Sequence, residues 1–419
     1  MNWLRDRLKS FGSKTACIEA GNVWTFKEFI RAIDTAKSAL GPQRIVPIET
    51  ASTVEGLARL LAIAESNHIA LPLPPEIPAA EQAHMRETSA SSPLYDKLSV
   101  SGLLLFSSGT SGEPKGMLHN LPNLLKRFVP VKPHRDRTLQ LLLIDHIGGL
   151  DAALRCLLSG STLVIPEART PKAAACTIEK HKVNILPASP TFLNLMLINR
   201  VHEEYDCRSV EIIAYGAEAM PQSLLNRLGT AFPKADLQQK FGTSETGAVR
   251  IESSSRDSLF FRIKDPDTEW KVIEDELWLK TPSRILGYLN AGEDSLEADG
   301  WYRTGDLVEE GPNKTLRIIG RKSSTVNVGG QKVHPAEVEA VLHEIEGLEA
   351  CRVYGEPDPI TGQRVACEIF ISEAKDPRKW KRVIRNHCRG KLAPWKIPAT
   401  VKVGDRLSVN ARMKHSETP

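Results

Sequence analysis

The residues best suited to chemistry lie between Leu103 and Gly116, in the run LLLFSSGTSGEPKG. Four apolar residues, Leu103 to Phe106, read as a buried strand. The strand gives way to a loop of hydroxyl residues and glycines, Ser107, Ser108, Gly109, Thr110, Ser111 and Gly112, that closes on Lys115 and Gly116. Glycine lets the backbone turn tightly and approach a ligand without a Cβ in the way. The hydroxyls add donors, and Lys115 adds a fixed positive charge. Backbone N–H groups in such turns form an anion-binding concavity, which suits the polyphosphate of a nucleotide. The order differs from the P-loop pattern G-x-x-x-x-G-K-[ST], because Lys115 precedes Gly116 and Pro114 sits beside it. A plain Gly/Ser surface loop has the same composition and stands as the alternative.

Four further stretches narrow the choice: Phe241-Gly-Thr-Ser-Glu-Thr-Gly247, Trp301-Tyr-Arg-Thr-Gly-Asp306, Gly320-Arg-Lys-Ser-Ser-Thr-Val-Asn-Val-Gly-Gly330 and Asn410-Ala-Arg-Met-Lys414. In this order the motifs resemble the adenylate-forming superfamily, which comprises acyl- and aryl-CoA synthetases, peptide-synthetase adenylation domains and beetle-type luciferases. The resemblance covers nearly the whole chain. It implies activation of a carboxylic acid by ATP and Mg²⁺, with transfer of the acyl group to coenzyme A or to the phosphopantetheine of a separate carrier protein.

Joining a carboxylate to ATP brings two anions together where water is excluded, so their repulsion is severe. Positioned cations and oriented donors must carry most of such catalysis. The resemblance assigns the phosphates to Ser107–Gly112 and Lys115. It gives Mg²⁺ to Glu245, a hard oxygen ligand of the kind that ion takes; a helix-cap carboxylate is the other reading. Ser244, where the family has Thr, would touch the α-phosphate. Phe241, beside Gly242 and Thr243, would stack on adenine or else fill the core. Gly216-Ala217-Glu218 resembles the adenine-side Gly-Gly-Glu segment, with Ala for the second glycine. Asp306 would accept both ribose hydroxyls, as an acceptor-only group can, and Arg321 would bind ribose or phosphate oxygens. A turn aspartate and a surface ion pair are the alternatives for these two.

The acid's pocket would be bordered by His146 and Gly148 in Ile144-Asp-His-Ile-Gly-Gly149, with Tyr215 and Gly247. A satisfied core histidine and a core tyrosine compete with that reading. Lys414 matches the family's terminal lysine, which reaches ATP and carboxylate oxygens when a small domain closes, although the usual Pro and Gly before it are missing. A solvated terminal lysine is the alternative, and Lys396 in Pro394-Trp-Lys396 reads as surface. Gly329 and Gly330 would admit pantetheine where side chains would block it.

The elements that must position these residues follow from periodicity. Strand-like runs at Thr138–Ile144, Ser161–Ile165, Val183–Leu186, Val210–Tyr215 and Asp236–Phe241 alternate with helical patterns. One helix opens at Ser189-Pro190, a cap followed by proline at the first helical position. Such alternation implies a doubly wound, mostly parallel sheet, whose ligands bind beyond the carboxyl ends of its strands. Nearer the N-terminus, Thr25 caps an amphipathic helix, Leu57–Ile69 reads as a second helix that Ala70–Pro75 ends, and Ala79–Leu98 as a polar connection. Ser254–Gly300 reads as antiparallel and partly a small barrel. The fold class expected is α/β: a large N-terminal domain over 1–320 and a small, mobile α+β domain over 321–419, with the hinge at or next to Ser323.

The 419 residues suffice for two or three domains, and 55 Lys+Arg against 51 Asp+Glu leave no basic block to argue for nucleic acid. The N-terminus lacks the apolar core of a signal peptide, and no run reaches the length of a membrane span. Seven scattered cysteines without C-x-x-C spacing fit a reduced, cytoplasmic protein. The expected function is an AMP-forming acid–thiol ligase. Its rivals are transfer to a carrier protein, a non-catalytic nucleotide- or acyl-binding descendant and, remotely, a luciferase-type oxygenase. The acid and the oligomeric state are left open.

Overall fold

A computed structural model describes residues 2–50, 52–107, 113–292, 295–371 and 377–404. Ser108, Gly109, Thr110, Ser111, Gly112 and Lys414 therefore lie outside the described residues. Two sheets form the body of the protein. The larger has seven strands in the order Asp236–Gln239, Ile212–Tyr215, Ile185–Ala188, Arg137–Leu139, Thr162–Ile165, Thr15–Glu19 and Asn22–Thr25. Every pairing is parallel except the last, an antiparallel edge. The second sheet runs Gly287–Tyr288, Gly116–Asn120, Gly102–Phe106, Ile69–Pro72 and Ile45–Ile48.

The central strand Gly102–Phe106 is buried on both faces, which is why it reads as a continuous apolar run rather than an alternating one. Leu103 and Leu105 join the core shared with the helices Asn2–Phe11, Phe26–Ser38, Val54–Ala64 and Ile147–Leu158. Leu104 and Phe106 face the opposite core with Leu71, Leu94 and Leu118. Another core, on the far face of the seven-stranded sheet, is built on Phe192, Met196, Tyr215 and Leu228. Burying a strand on both sides leaves its carboxyl end as the one place where the chain can meet a ligand, and there the loop after Phe106 begins.

A six-stranded antiparallel sheet follows in the order Ile251–Ser253, Phe261–Ile263, Thr315–Arg321, Tyr302–Gly311, Glu276–Lys280 and Glu269–Ile273. This sheet is the form taken by the expected barrel-like portion. Arg321 ends its strand, and the turn Lys322–Ser324, with Ser323 inside it, leads into a smaller α+β unit. That unit has its own core of Val326, Val338, Leu342, Val353, Ile369, Trp380 and Ile384.

Several boundaries differ from the sequence reading. The second helix is Val54–Ala64, capped where the Gly56 N–H donates to Thr53 Oγ1, and Ile69 opens a buried strand instead of ending a helix. Apolar runs lie on both sides of the short polar break 65–68, which is too brief to mark the change of element. Ala70–Pro72 are strand residues and not a terminator. The expected polar connection contains a helix, Ala79–Thr88, and a short 3-10 turn, Pro93–Lys97, anchored by buried Met85 and Leu94. The strand expected over Thr138–Ile144 is only Arg137–Leu139; Gln140 keeps one bond to the sheet, its N–H donating to the Val164 carbonyl at 2.8 Å, and its side chain donates to the Leu142 carbonyl. Phe241 lies past the strand Asp236–Gln239 and begins a hairpin.

Two tests follow. The Thr25 cap is a full capping box: Glu28 N–H donates to Thr25 Oγ1, and Thr25 N–H donates to Glu28 Oε2 at 2.7 Å. Thr25→Ala is expected to cost roughly 1 kcal/mol, read as a lower urea midpoint at unchanged slope. His119 is fully buried on the strand Gly116–Asn120 near the backbone of Ser244 and Ser283, and burial pushes its imidazole down to about 4. The unfolded chain, with the ordinary value, binds that proton and the native state does not. Stability is therefore complete above pH 6.5 and falls as pH drops toward about 4. The full separation is worth on the order of 3 kcal/mol, and His119→Gln should flatten the dependence of Tm on pH across that window.

Candidate active site

Ser107 and Lys115 close the base of the first loop. Ser107 N–H donates to the Lys115 carbonyl at 3.0 Å, and Lys115 N–H donates to Ser107 Oγ at 2.9 Å. Asn290 clamps the same base from outside, accepting from Gly116 N–H at 2.9 Å and donating to the Pro114 carbonyl at 3.0 Å. A Cβ at 116 would sit 2.7 Å from Leu289 Cδ1 and 3.0 Å from Phe106 Cζ, so any larger residue would have to displace those side chains. The loop is thus held by the edge strand Gly287–Tyr288, which pairs antiparallel with Gly116–Asn120.

Glu245 is presented by a hairpin. Phe241–Thr243 pairs with Gly247–Val249, Thr243 opposite Gly247, leaving Ser244, Glu245 and Thr246 at the tip. Thr243 Oγ1 accepts from the N–H groups of both Glu245 and Thr246 at 3.2 Å. The strands cross so closely that a Cβ at Gly242 would lie 2.4 Å from the Gly247 carbonyl, and Gly247 itself has φ 78°. The segment 283–290 stitches this hairpin to the first loop. Ser283 Oγ donates to the Thr246 carbonyl at 2.6 Å, and Ile285 N–H donates to the Glu245 carbonyl at 2.8 Å.

Tyr288, two residues before Asn290, donates its hydroxyl to Glu245 Oε1 at 3.1 Å. Lys115 Nζ stands 5.8 Å from the centroid of the same ring. Sequence reasoning passed over Tyr288 and Asn290. A tyrosine after a glycine in a two-residue strand carries no spacing signal, and the partner that gives it meaning is 43 residues away.

Asp306 and Arg321 are cross-strand partners of the six-stranded sheet, joined by Arg321 Nε to Asp306 Oδ1 at 2.8 Å. Tyr302, Thr304 and Asp306 share the buried face of their strand. Burial pushes the Asp306 carboxyl up, against the opposing pull of Arg321, and Glu245 is near enough to add to the rise. Asp306 in turn holds the Arg321 guanidinium firmly protonated. Ser107, Lys115, Glu245, Asp306 and Arg321 therefore converge on one site, from three different sheets and hairpins.

The Gly216-Ala217-Glu218 turn follows the parallel strand Ile212–Tyr215. A Cβ at Gly216 would lie 2.6 Å from the Lys240 carbonyl, and Ala217 has φ 70°. Alanine in this left-handed region costs roughly 1–2 kcal/mol, so its replacement of the family's glycine is more than a mild change. Glu218 Oε2 accepts from Thr191 N–H at 3.1 Å, at the start of the helix Pro190–Ile198 that Ser189 caps. The carboxylate there also complements the helix dipole.

Two expected contacts resolve toward the core. Phe241 is 7 % exposed and stacks on Phe261 with centroids 5.7 Å apart, so its ring belongs to the antiparallel core and offers adenine little face. Tyr215 is 1 % exposed among Phe192 and Leu193, behind the turn it precedes. His146 is partly buried at the start of the helix Ile147–Leu158. Of the glycines after it, Gly149 is obligatory because a Cβ would meet the Leu143 carbonyl at 2.1 Å; Gly148 would meet only Leu142 Cδ1 at 3.7 Å. Gly329 and Gly330 form an exposed turn with φ 57° and 88°, closed by Gly330 N–H donating to Asn327 Oδ1 at 2.9 Å. Lys396 pairs with Glu337 at 2.6 Å.

Comparison with known proteins bears on this assembly. The model of the AMP-binding enzyme family matches residues 102–289, and that of the AMP-binding enzyme C-terminal domain matches residues 337–414. A 3-[(3aS,4S,7aS)-7a-methyl-1,5-dioxo-octahydro-1H-inden-4-yl]propanoyl:CoA ligase of Mycobacterium tuberculosis is 28% identical over 329 residues, 75% of this chain and 64% of that protein. A feruloyl-CoA synthase of an Amycolatopsis species is 26% identical over 331 residues, 73% of this chain and 66% of that protein. This chain thus spans less than two thirds of the length of these relatives. The crystal structure of the anthranilate CoA ligase AuaEII in complex with anthranoyl-AMP has the same fold, with a TM-score of 0.85 at 19% identity over 99% of this chain and 95% of that one. Both matched models fall in the order in which the motifs occur, and the chain belongs to the adenylate-forming superfamily of AMP-binding enzymes.

Proposed function

We propose that the protein activates a carboxylic acid with ATP and passes the acyl group to a thiol, as an AMP-forming acid–thiol ligase. The observation that carries this reading is the convergence of Lys115, Glu245, Asp306 and Arg321 at one place, with Tyr288 bonded to Glu245 and its ring 5.8 Å from the Lys115 ammonium. Lys115 and the loop from Ser107 receive the phosphate tail. Asp306 and Arg321 receive the ribose, the carboxylate as acceptor and the guanidinium as donor. Ser244, at the hairpin tip beside Glu245, lies where a hydroxyl would meet the α-phosphate.

Glu245 suits a Mg²⁺ ion, since Tyr288 occupies one carboxylate oxygen and the other is left to a hard cation that completes its shell with phosphate oxygens. Among the described residues no cluster of three or more His, Cys, Asp or Glu side chains forms a ready-made cage, which fits an ion brought in with the nucleotide. When bound, the ion would neutralise charge on the phosphates. The chain's own part is to fix the two anionic reactants and spread the charge that moves onto pyrophosphate. The carboxylate oxygen of the acid bonds to the α-phosphorus, the bond to pyrophosphate breaks, and the acyl-AMP carbonyl is later attacked by a thiol with release of AMP. Lys414 serves the first step and the Gly329-Gly330 turn the second. Coenzyme A is the acceptor favoured, because the relatives named above act on CoA.

ATP–pyrophosphate exchange over a panel of small aryl and short- to medium-chain acids tests the reading. Exchange is expected with at least one acid, with Glu245→Gln lowering it by about 10²–10³. Lys414→Ala should lose exchange while still converting supplied acyl-AMP and CoA to thioester. Silence across the panel would overturn the proposal, and product only with a phosphopantetheinyl carrier would move the acceptor from CoA to that protein.

A further inference from the structure

Glu245 and Lys115 carry opposite charges in one cleft, yet no ion pair joins them. What lies between is a phenol. Tyr288 donates to Glu245 Oε1 at 3.1 Å, and its ring holds the Lys115 ammonium at 5.8 Å. A second phenol stands behind it: Tyr302, 5 % exposed, has its hydroxyl beside that of Tyr288, so a short chain of phenols leads to Glu245. The two tyrosines come from separate sheets, the edge strand Gly287–Tyr288 and the strand Tyr302–Gly311 that also carries Asp306.

Such a chain does two things. A carboxylate with one oxygen bound to a phenol is held in one rotamer, with the second oxygen left for another partner. An ammonium held over an aromatic face keeps a favourable partner and is not drawn onto the carboxylate, where the two charges would cancel and the second oxygen would be lost. Both effects are properties of the protein's own side chains, and both prepare the site for a cation and an anion arriving together.

Resting on the functional reading above, we propose that Tyr288, supported by Tyr302, is a positioning residue that holds Glu245 open for a divalent cation and keeps Lys115 apart from it. Tyr288→Phe preserves the ring against Lys115 and deletes only the hydroxyl. Binding of Mn²⁺ in the presence of α,β-methylene-ATP, followed by the electron paramagnetic resonance of free Mn²⁺, should weaken 10–100-fold, the usual effect of removing a hydrogen-bond partner from a metal-binding carboxylate. Metal-free binding of the same nucleotide should be unchanged. Tyr302→Phe should shift Mn²⁺ binding in the same direction by less, and it carries the test if Tyr288→Phe fails to fold. Adding Tyr288→Phe to Glu245→Gln should produce no further loss, because the pair acts as one unit. Wild-type Mn²⁺ affinity in both tyrosine variants would overturn the proposal while leaving the functional reading intact. Equal loss of metal-free nucleotide binding would also overturn it, by reducing the tyrosines to structural supports. Absence of Mn²⁺ binding by the wild-type protein would instead remove the functional reading, and this inference with it.

Discussion

Opposite charges must be kept near one another without pairing, and the rest of the site is built to meet that constraint. Lys115, Glu245, Asp306 and Arg321 lie within electrostatic reach, and in a half-buried cleft their mutual attraction is several times stronger than in water. Left to themselves they would collapse into ion pairs and leave nothing for a ligand. The protein permits one such pair, Arg321 with Asp306, where the burial of Asp306 makes an unpaired carboxylate costly. It withholds the other by placing Tyr288 between Glu245 and Lys115. Burial pushes both Tyr288 and Tyr302 above the ordinary phenol range, with Glu245 adding to the rise, so both remain neutral donors wherever the carboxylate is charged.

The scaffold explains how groups so far apart in sequence reach one place. Strands buried on both faces can expose only their ends, and the loops after Phe106, Tyr215 and Gln239 all leave from carboxyl ends. The segment 283–290 then ties two of these ends together through backbone bonds to Gly116, Leu118 and Glu245. Glycine is used where chains must touch: at Gly149, Gly216 and Gly242 a Cβ would come within 2.6 Å of backbone oxygen. Ala217, by contrast, is one of several side chains at positive φ, in a conformation that glycine would hold without strain.

Local signals were legible in the sequence, and contacts between distant segments were not. The caps at Thr25 and Ser189, the parallel alternation and the motif order could be read because each depends on residues within one turn or one strand. The helix expected over Leu57–Ile69 ran into a strand because an apolar run reads alike for both elements, and the break at Ser66-Asn-His68 is too short to show. Phe241 was ambiguous for a different reason. An aromatic in a motif and an aromatic in a core look the same until Phe261, 20 positions on, is seen against its face. Tyr288 could not be found at all, since its meaning comes from Glu245 on one side and Tyr302 on the other.

The contact between the two units bears on how one site could serve two half-reactions. Asn194 Nδ2 donates to the Glu349 carbonyl at 2.9 Å, and Arg227 Nη1 donates to Asn194 Oδ1 at 3.1 Å. Burial pushes the Glu339 carboxyl of the smaller unit up to about 7, and Glu218 of the larger unit adds to the rise. Amides, a guanidinium and carboxylates thus take part in the contact between the two units. The Gly329-Gly330 turn is exposed here, with Thr361 of its own hairpin neighbour as its packing partner. Both φ values, 57° and 88°, lie in the left-handed region, where glycine holds the turn without the strain a Cβ would bring. In the proposed two-step reaction this exposed turn would lie close to the thiol in a second arrangement of the two units.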